Sequence, residues 1–166
     1  MEMNKFEFRP PTSIELKNFL YKEGVTQLCV KRIGVVDVVL CEKGEFHGLI
    51  SVFVYVDKSR VASSKGLGRG SKNNPFEFMT SSSRIGNDDI NVVGIILNPK
   101  GVVADAKRVR LEFNEEFVEE GSFDEGQRGI ILSFGSNRIA ESWSHGITFY
   151  ASDGTIIFHE KRKFQS

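Results

Sequence analysis

The chain has 166 residues with 22 basic and 22 acidic side chains, so its formal net charge is zero. This length suits one domain with its own core, over residues 1–166, and zero net charge argues against long-range steering of a partner by the whole protein. No window approaches the roughly 18 apolar residues of a membrane span, and the first residues lack a signal-peptide core, so we expect a cytoplasmic protein without membrane contact.

The N-terminal third predicts one helix followed by strands. Thr12 and Glu15 have the spacing of a capping box, and Gly24 is a typical helix end, so a helix is expected over residues 12–23. Strands are predicted at 27–33, 35–42 and 46–56, and both faces of the last are apolar, which is typical of a central strand. Cys29 and Cys41 lie in apolar runs and are interpreted as buried thiols, with a bridge between neighbouring strands left open.

Residues 58–75 interrupt this pattern. The segment is rich in Gly and Ser and has no acidic residue after Asp57, so it predicts a long, flexible, exposed loop. The order of its residues matches neither a P-loop nor a Rossmann turn. What it predicts is a cationic segment that contacts nucleic acid or an acidic protein surface, with a solvated loop of incidental charge as the alternative. The candidate partner-binding residues are Lys58, Arg60, Lys65, Arg69 and Lys72.

The rest of the chain predicts more strands. They are expected at 76–79, 90–97, 108–113 and 129–134, and the sequence Asp153-Gly154 joins a hairpin of residues 146–151 and 155–161. The acidic residues 114–120 fit either a short helix or an edge strand. Together these elements predict an all-β or β-rich α+β fold: an antiparallel sandwich or barrel with one N-terminal helix and, in one alternative, a second short acidic helix.

Two segments resemble a known family. Residues 86–92, Gly-Asn-Asp-Asp-Ile-Asn-Val, and residues 106–113 are similar to the tellurium-resistance (Ter) family of calcium-binding β-sandwiches. The resemblance implies a sandwich with a calcium site, although the dense Asp cluster of an earlier strand in that family has no counterpart at 52–56. Asp88 and Asp89 therefore have two interpretations: they bind calcium, or they satisfy the backbone of their own turn.

No motif predicts an enzyme, a metal site of defined spacing or a cofactor. The histidines lack metal-ligand spacing, and the hydroxyls beside His145 lack a nucleophile elbow. Trp143 and His145 are instead the residues of a candidate ligand groove. The sequence predicts a non-enzymatic binding module for an acidic macromolecule. The alternatives are an assembly, inhibitor or immunity-type subunit, a homo-oligomer formed through the acidic segment, and a sandwich that binds a small molecule, a glycan or calcium.

Overall fold

A computed structural model describes residues 7–71, 73–114, 117–134 and 146–161. Within these ranges the chain forms one helix and twelve strands. In chain order they are β1 (Phe8–Arg9), α1 (Ser13–Glu23), β2 (Thr26–Ile33), β3 (Val36–Lys43), β4 (Phe46–Tyr55), β5 (Arg60–Arg69), β6 (Phe76–Ile85), β7 (Asp88–Leu97), β8 (Arg108–Asn114), β9 (Phe117–Ser122), β10 (Gly129–Phe134), β11 (Gly146–Tyr150) and β12 (Ile156–Lys161).

The strands form three antiparallel sheets. In sheet A, β4 pairs with β5 along one edge and with β3 and the short β1 along the other, and β2 follows β3. Sheet B has the order β10-β7-β6, and sheet C has the order β12-β11-β8-β9. The predicted fold class, an antiparallel β fold with one N-terminal helix, is confirmed.

The helix and the sheets stack as four layers because β3 and β4 are apolar on both faces. Successive side chains of a strand point to opposite faces, so Val39 of β3 packs against Leu16 and Leu20 of α1. Its neighbour Leu40 packs on the other face, against sheet B. The far face of sheet B packs in turn against sheet C, in a cluster that includes the fully buried ring of Phe149. Sheet A therefore lies between the helix and sheet B, and sheet B lies between the other two.

The predicted caps of α1 are both present. The Thr12 hydroxyl accepts a hydrogen bond from the Glu15 N–H at 3.2 Å, and the Glu15 carboxylate accepts one from the Thr12 N–H at 3.0 Å. Gly24 ends the helix with φ of 68°, in the left-handed region that glycine adopts readily. The Arg9 guanidinium donates two further hydrogen bonds to the Glu15 carboxylate, at 2.7 and 3.0 Å, and these chiefly lower the Glu15 pKa to about 2.

The predicted loop over residues 58–75 is wrong for most of its length. Residues 60–69 form β5, which pairs with β4 over its full length, from Arg60 opposite Tyr55 to Arg69 opposite Phe46. The physical reason is that β4 is largely buried and its main-chain groups on this edge need partners. Hydrogen bonding to β4, together with packing of Val61 and Ala62 against the core, overrides the weak strand preference of a Gly/Ser-rich segment.

The prediction of a second, acidic helix is also wrong, and the alternative prediction, an edge strand, is confirmed. Residues 117–122 form β9, an edge strand of sheet C paired with β8, while residues 115 and 116 lie outside the described ranges. The pairing sets Glu120 opposite Arg110, with a carboxylate oxygen 4.0 Å from the guanidinium Nε. A strand therefore places this acid beside a cation, where opposite charges across a pair are favourable.

The predicted Asp153-Gly154 turn is confirmed, the prediction of buried thiols is confirmed for Cys41 but not for Cys29, and one strand is longer than expected. Gly154 has φ of 87° in the turn between β11 and β12, and the Asp153 carboxylate accepts a hydrogen bond from the Thr155 N–H at 2.9 Å. Cys29 and Cys41 are free thiols, Cys41 buried and Cys29 half-buried. Strand β6 continues past residue 79 to Ile85 and forms a full hairpin with β7.

Candidate functional site: the outer edge of a basic strand

The four predicted partner-binding residues that the structure describes lie on β5 or just before it. Lys58 is in the turn between β4 and β5, and Arg60, Lys65 and Arg69 are on the strand itself. Lys72, and both residues of the predicted ligand groove, Trp143 and His145, lie outside the described ranges.

The strand does not gather its cations into one patch. Arg60 pairs with Tyr55 and shares the face turned toward sheet B, whereas Lys65 and Arg69 pair with residues on the face turned toward α1. A strand of 10 residues is roughly 33 Å long, so the two arginines lie at opposite ends. The arrangement is a line of separated charges along one strand.

Internal carboxylates already contact two of these cations. The Lys65 Nζ lies 2.6 Å from Glu23 at the end of α1. The Arg69 guanidinium lies 3.5 Å from Glu45 and 5.9 Å from the ring centre of Phe46. Within the described residues, Lys58 and Arg60 form no ion pair. Exposed ion pairs contribute at most about 1 kcal/mol, so neither carboxylate binds its cation strongly.

The outer edge of β5 carries unpaired main-chain groups. At one end of β4 the Val56 N–H donates to the Glu7 carbonyl on the β1 side, and at the other end the Gly70 N–H donates to the Glu45 carbonyl, each at 3.0 Å. Main-chain groups of successive strand residues point to opposite edges, so odd-numbered residues of β4 bond to even-numbered residues of β5.

The odd-numbered residues of β5 consequently direct their N–H and C=O groups away from β4. In the part of the chain that the structure describes, no strand pairs with them. Residues 63–69 are exposed. The five residues with outward main-chain groups are Val61, Ser63, Lys65, Leu67 and Arg69.

A groove of about 150 Å³ follows the face of β5 that is turned toward sheet B. Gly66 and Gly68 contribute to this groove, and Met79 and Glu77 line it from β6. Alternation along the strand places Gly66 and Gly68 on the same face as Arg60. We call this space the glycine groove.

A larger cleft of about 470 Å³ adjoins the end of β5 and includes Arg69, His47, Asn98 and Arg128. Its lining holds two arginines and two glutamates, Arg69, Arg128, Glu45 and Glu77. The Arg128 guanidinium also lies 2.5 Å from Glu42, which lies outside the lining. Because these arginines and carboxylates offset one another, the cleft has no clear charge preference.

Sequence reasoning missed this cleft. His47 is on β4 of sheet A, whereas Arg128 immediately precedes β10 of sheet B, and the two stand far apart in the chain, so no motif spacing connects them. The Nδ1 atom of His47 is buried and has no hydrogen-bond partner among the described residues. Only the packing of sheet A on sheet B brings these side chains together.

The candidate calcium residues have internal roles. A carboxylate oxygen of Asp88 accepts a hydrogen bond from the Val35 N–H at 3.3 Å, and Asp89 lies 4.0 Å from the Arg84 guanidinium. Over residues 7–71, 73–114, 117–134 and 146–161, no group of three His, Cys, Asp or Glu side chains is arranged to hold a metal ion. The Asp88 carboxylate thus stabilises the turn before β3, through the Val35 N–H.

Comparison with known proteins finds no match to a family model, to a curated protein or to a solved structure. The resemblance of residues 86–92 and 106–113 to the Ter family therefore has no family match behind it. In the described part of the chain, no helix has the length and apolar character needed to cross a bilayer.

Proposed function

We propose that this protein is a non-enzymatic interaction module that binds an extended acidic segment of a partner protein. The segment adds to sheet A as a further strand beside β5. The single observation that supports this proposal is the outer edge of β5, where five residues direct N–H and C=O groups to a side without a paired strand in the described chain. Strand addition to such an edge supplies affinity through main-chain hydrogen bonds and specificity through alternate side chains.

The charges of β5 indicate the chemistry of the partner. Lys65 and Arg69 lie on one face of the strand, with the partly exposed Leu67 between them. Opposite charges across a strand pair contribute roughly 0.2–1 kcal/mol. A segment with carboxylates at alternate positions would place them beside Lys65 and Arg69.

A polypeptide fits this edge better than a nucleic acid does. Phosphate backbones are bound by several cations acting together, whereas Arg60 faces away from Lys65 and Arg69. Outward N–H and C=O groups in strand spacing are matched by another main chain. We therefore favour an acidic protein segment and treat nucleic acid as an outcome of the test.

The probe is a labelled ten-residue peptide of alternating Glu and Val with blocked ends. We expect the full-length protein to bind it in a fluorescence anisotropy titration at low salt. The matched peptide of alternating Lys and Val should not bind. A labelled oligothymidine is the nucleic-acid probe, and we expect it to bind at least tenfold more weakly than the acidic peptide.

The decisive variant removes one outward donor without disturbing the β4 ladder. Ser63 is exposed and its N–H points outward, and proline is tolerated on edge strands at such positions. Ser63→Pro should weaken peptide binding about tenfold, while Ser63→Ala keeps the N–H and should bind normally. If Ser63→Pro fails to fold, Leu67→Pro tests the same edge.

Two results would overturn strand addition. One is a folded proline variant, checked by circular dichroism, that binds the acidic peptide as tightly as Ser63→Ala. The other is oligothymidine binding that exceeds peptide binding, is lost in a Lys58→Ala/Arg60→Ala variant and is unchanged in Ser63→Pro. The second result would establish polyanion contact through separate cations instead.

A further inference from the structure

At two positions of β5, neither the backbone conformation nor the surrounding atoms require glycine. Neither Gly66 nor Gly68 has φ in the left-handed region, and a Cβ atom at either position would meet no atom of the described structure within 4 Å. Gly70 differs, because a Cβ there would lie 2.4 Å from Nδ1 of His47. Glycine destabilises the interior of a strand relative to alanine, so two glycines that neither backbone conformation nor close packing requires need another explanation.

The empty space above these glycines is the glycine groove. Strand glycines often mark a place where a ligand or a second backbone approaches closely. Met79 of β6, partly buried against the core between sheets A and B, lines this space together with Glu77. The groove is bounded by Gly66 and Gly68 on one side and by Met79 and Glu77 on the other, and its volume of about 150 Å³ is enough for one side chain of moderate size.

We propose that the glycine groove anchors one apolar side chain of the acidic segment that adds to β5. This inference rests on the proposed function and names the second recognition element of the same site. In an added strand, side chains alternate between the two faces. Carboxylates beside Lys65 and Arg69 therefore leave the intervening side chains facing sheet B, where Gly66 and Gly68 admit them.

The partner motif that follows is an alternation of acidic and apolar residues. The acidic side chains contact the face that carries Lys65 and Arg69. One apolar side chain, of valine or leucine size, enters the glycine groove and contacts Met79. Gly66 and Gly68 are binding residues through the space they leave open, since any side chain there would occupy the position of the anchor.

The test fills the groove while keeping the fold. Gly68→Val and Gly66→Val place a β-branched side chain in open space on a strand with ordinary backbone angles, so the melting temperature should stay the same or rise. Binding of the Glu/Val peptide should fall about tenfold. Ser64→Val is the matched control, because Ser64 shares this face of β5 but does not line the groove.

A second peptide distinguishes the contribution of the apolar side chain from that of strand addition. A peptide of alternating Glu and Ser keeps the charges and main chain but lacks the apolar side chain, so it should bind the natural protein about as weakly as the Glu/Val peptide binds Gly68→Val. The proposed apolar anchor is wrong if the folded Gly66→Val and Gly68→Val variants bind the Glu/Val peptide as tightly as Ser64→Val does, while Ser63→Pro binds it more weakly. If Ser63→Pro also binds normally, the proposed function fails with it.

Discussion

The ammonium nitrogen of Lys65 on β5 lies 2.6 Å from a carboxylate oxygen of Glu23, the last residue of α1. This ion pair ties the basic edge strand to the helix that covers sheet A. It also partly neutralises the cation nearest the middle of β5. Glu23 is thus an internal competitor for any acidic partner of this strand.

Removing that competitor should strengthen binding. Glu23→Gln frees Lys65 and removes an acid from the C-terminal end of α1, where a negative charge opposes the helix dipole. We expect the Glu/Val peptide to bind roughly two- to fivefold more tightly at low salt, with the gain shrinking at 0.5 M salt. Glu125→Gln, with the same charge change in the turn before β10, is the control in anisotropy titrations. An equal gain in both variants would contradict a local role for Glu23.

The ion pair between Arg9 and Glu15 should make stability depend on pH. Hydrogen bonds from Arg9 chiefly lower the pKa of Glu15 from 4.5 to about 2 in the folded chain. The stabilisation is therefore fully present above pH 4.5 and is lost as pH falls toward 2. Both side chains are partly exposed, so we expect about 0.5–1 kcal/mol between the natural protein and Glu15→Gln at pH 7. Urea unfolding should show that this difference in unfolding free energy disappears below pH 3. A difference that stays constant with pH would contradict the prediction.

Gly34 and Gly44 should differ in their response to alanine. Both have positive φ, 57° and 58°, but a Cβ at Gly34 would lie 2.2 Å from a carboxylate oxygen of Asp88, whereas one at Gly44 meets nothing within 4 Å. Gly44→Ala should cost only the backbone strain of about 1–2 kcal/mol. Gly34→Ala should cost more, because Asp88 must move and its hydrogen bond to the Val35 N–H is disturbed. Equal losses in urea unfolding would mean that Asp88 adapts freely.

Cys41 should be unreactive in the folded protein. Its side chain is fully buried between sheet A and α1, and burial chiefly raises its pKa to about 11. The thiolate is the reactive form, so a Cys29→Ser variant should take up no iodoacetamide at pH 8 within hours. The same variant should be fully labelled in 8 M urea, as intact mass would show. Rapid labelling without denaturant would indicate that α1 opens readily.

The features that the sequence predicted correctly depend on neighbours in the chain. The capping box of Thr12 and Glu15 joins residues three apart, and the Asp153-Gly154 turn is closed by its own backbone. The apolar character of both faces of β4 correctly predicted a central strand, since burial on two sides requires it. These signals need no knowledge of distant partners.

The features that the sequence did not predict depend on pairing between distant residues. The composition of residues 60–69 favours an irregular loop, and it was the unsatisfied edge of the buried strand β4 that made it a strand. For the acidic segment the sequence left a helix and an edge strand open, and pairing of residues 117–122 with β8 decided for the strand. Charge clustering predicted a candidate site that includes Lys65 and Arg69. It could not predict that these two face α1 while Arg60 faces sheet B.

The sequence by itself determined the turns, the helix ends, the β class of the fold and the presence of a basic stretch. The tertiary structure alone decided that this stretch is an edge strand, that its odd-numbered residues direct main-chain groups outward, and that Gly66 and Gly68 lie under open space. The physical reason is that turns and caps are closed by bonds within a few residues, whereas an edge and a groove exist only once sheets A and B have packed together.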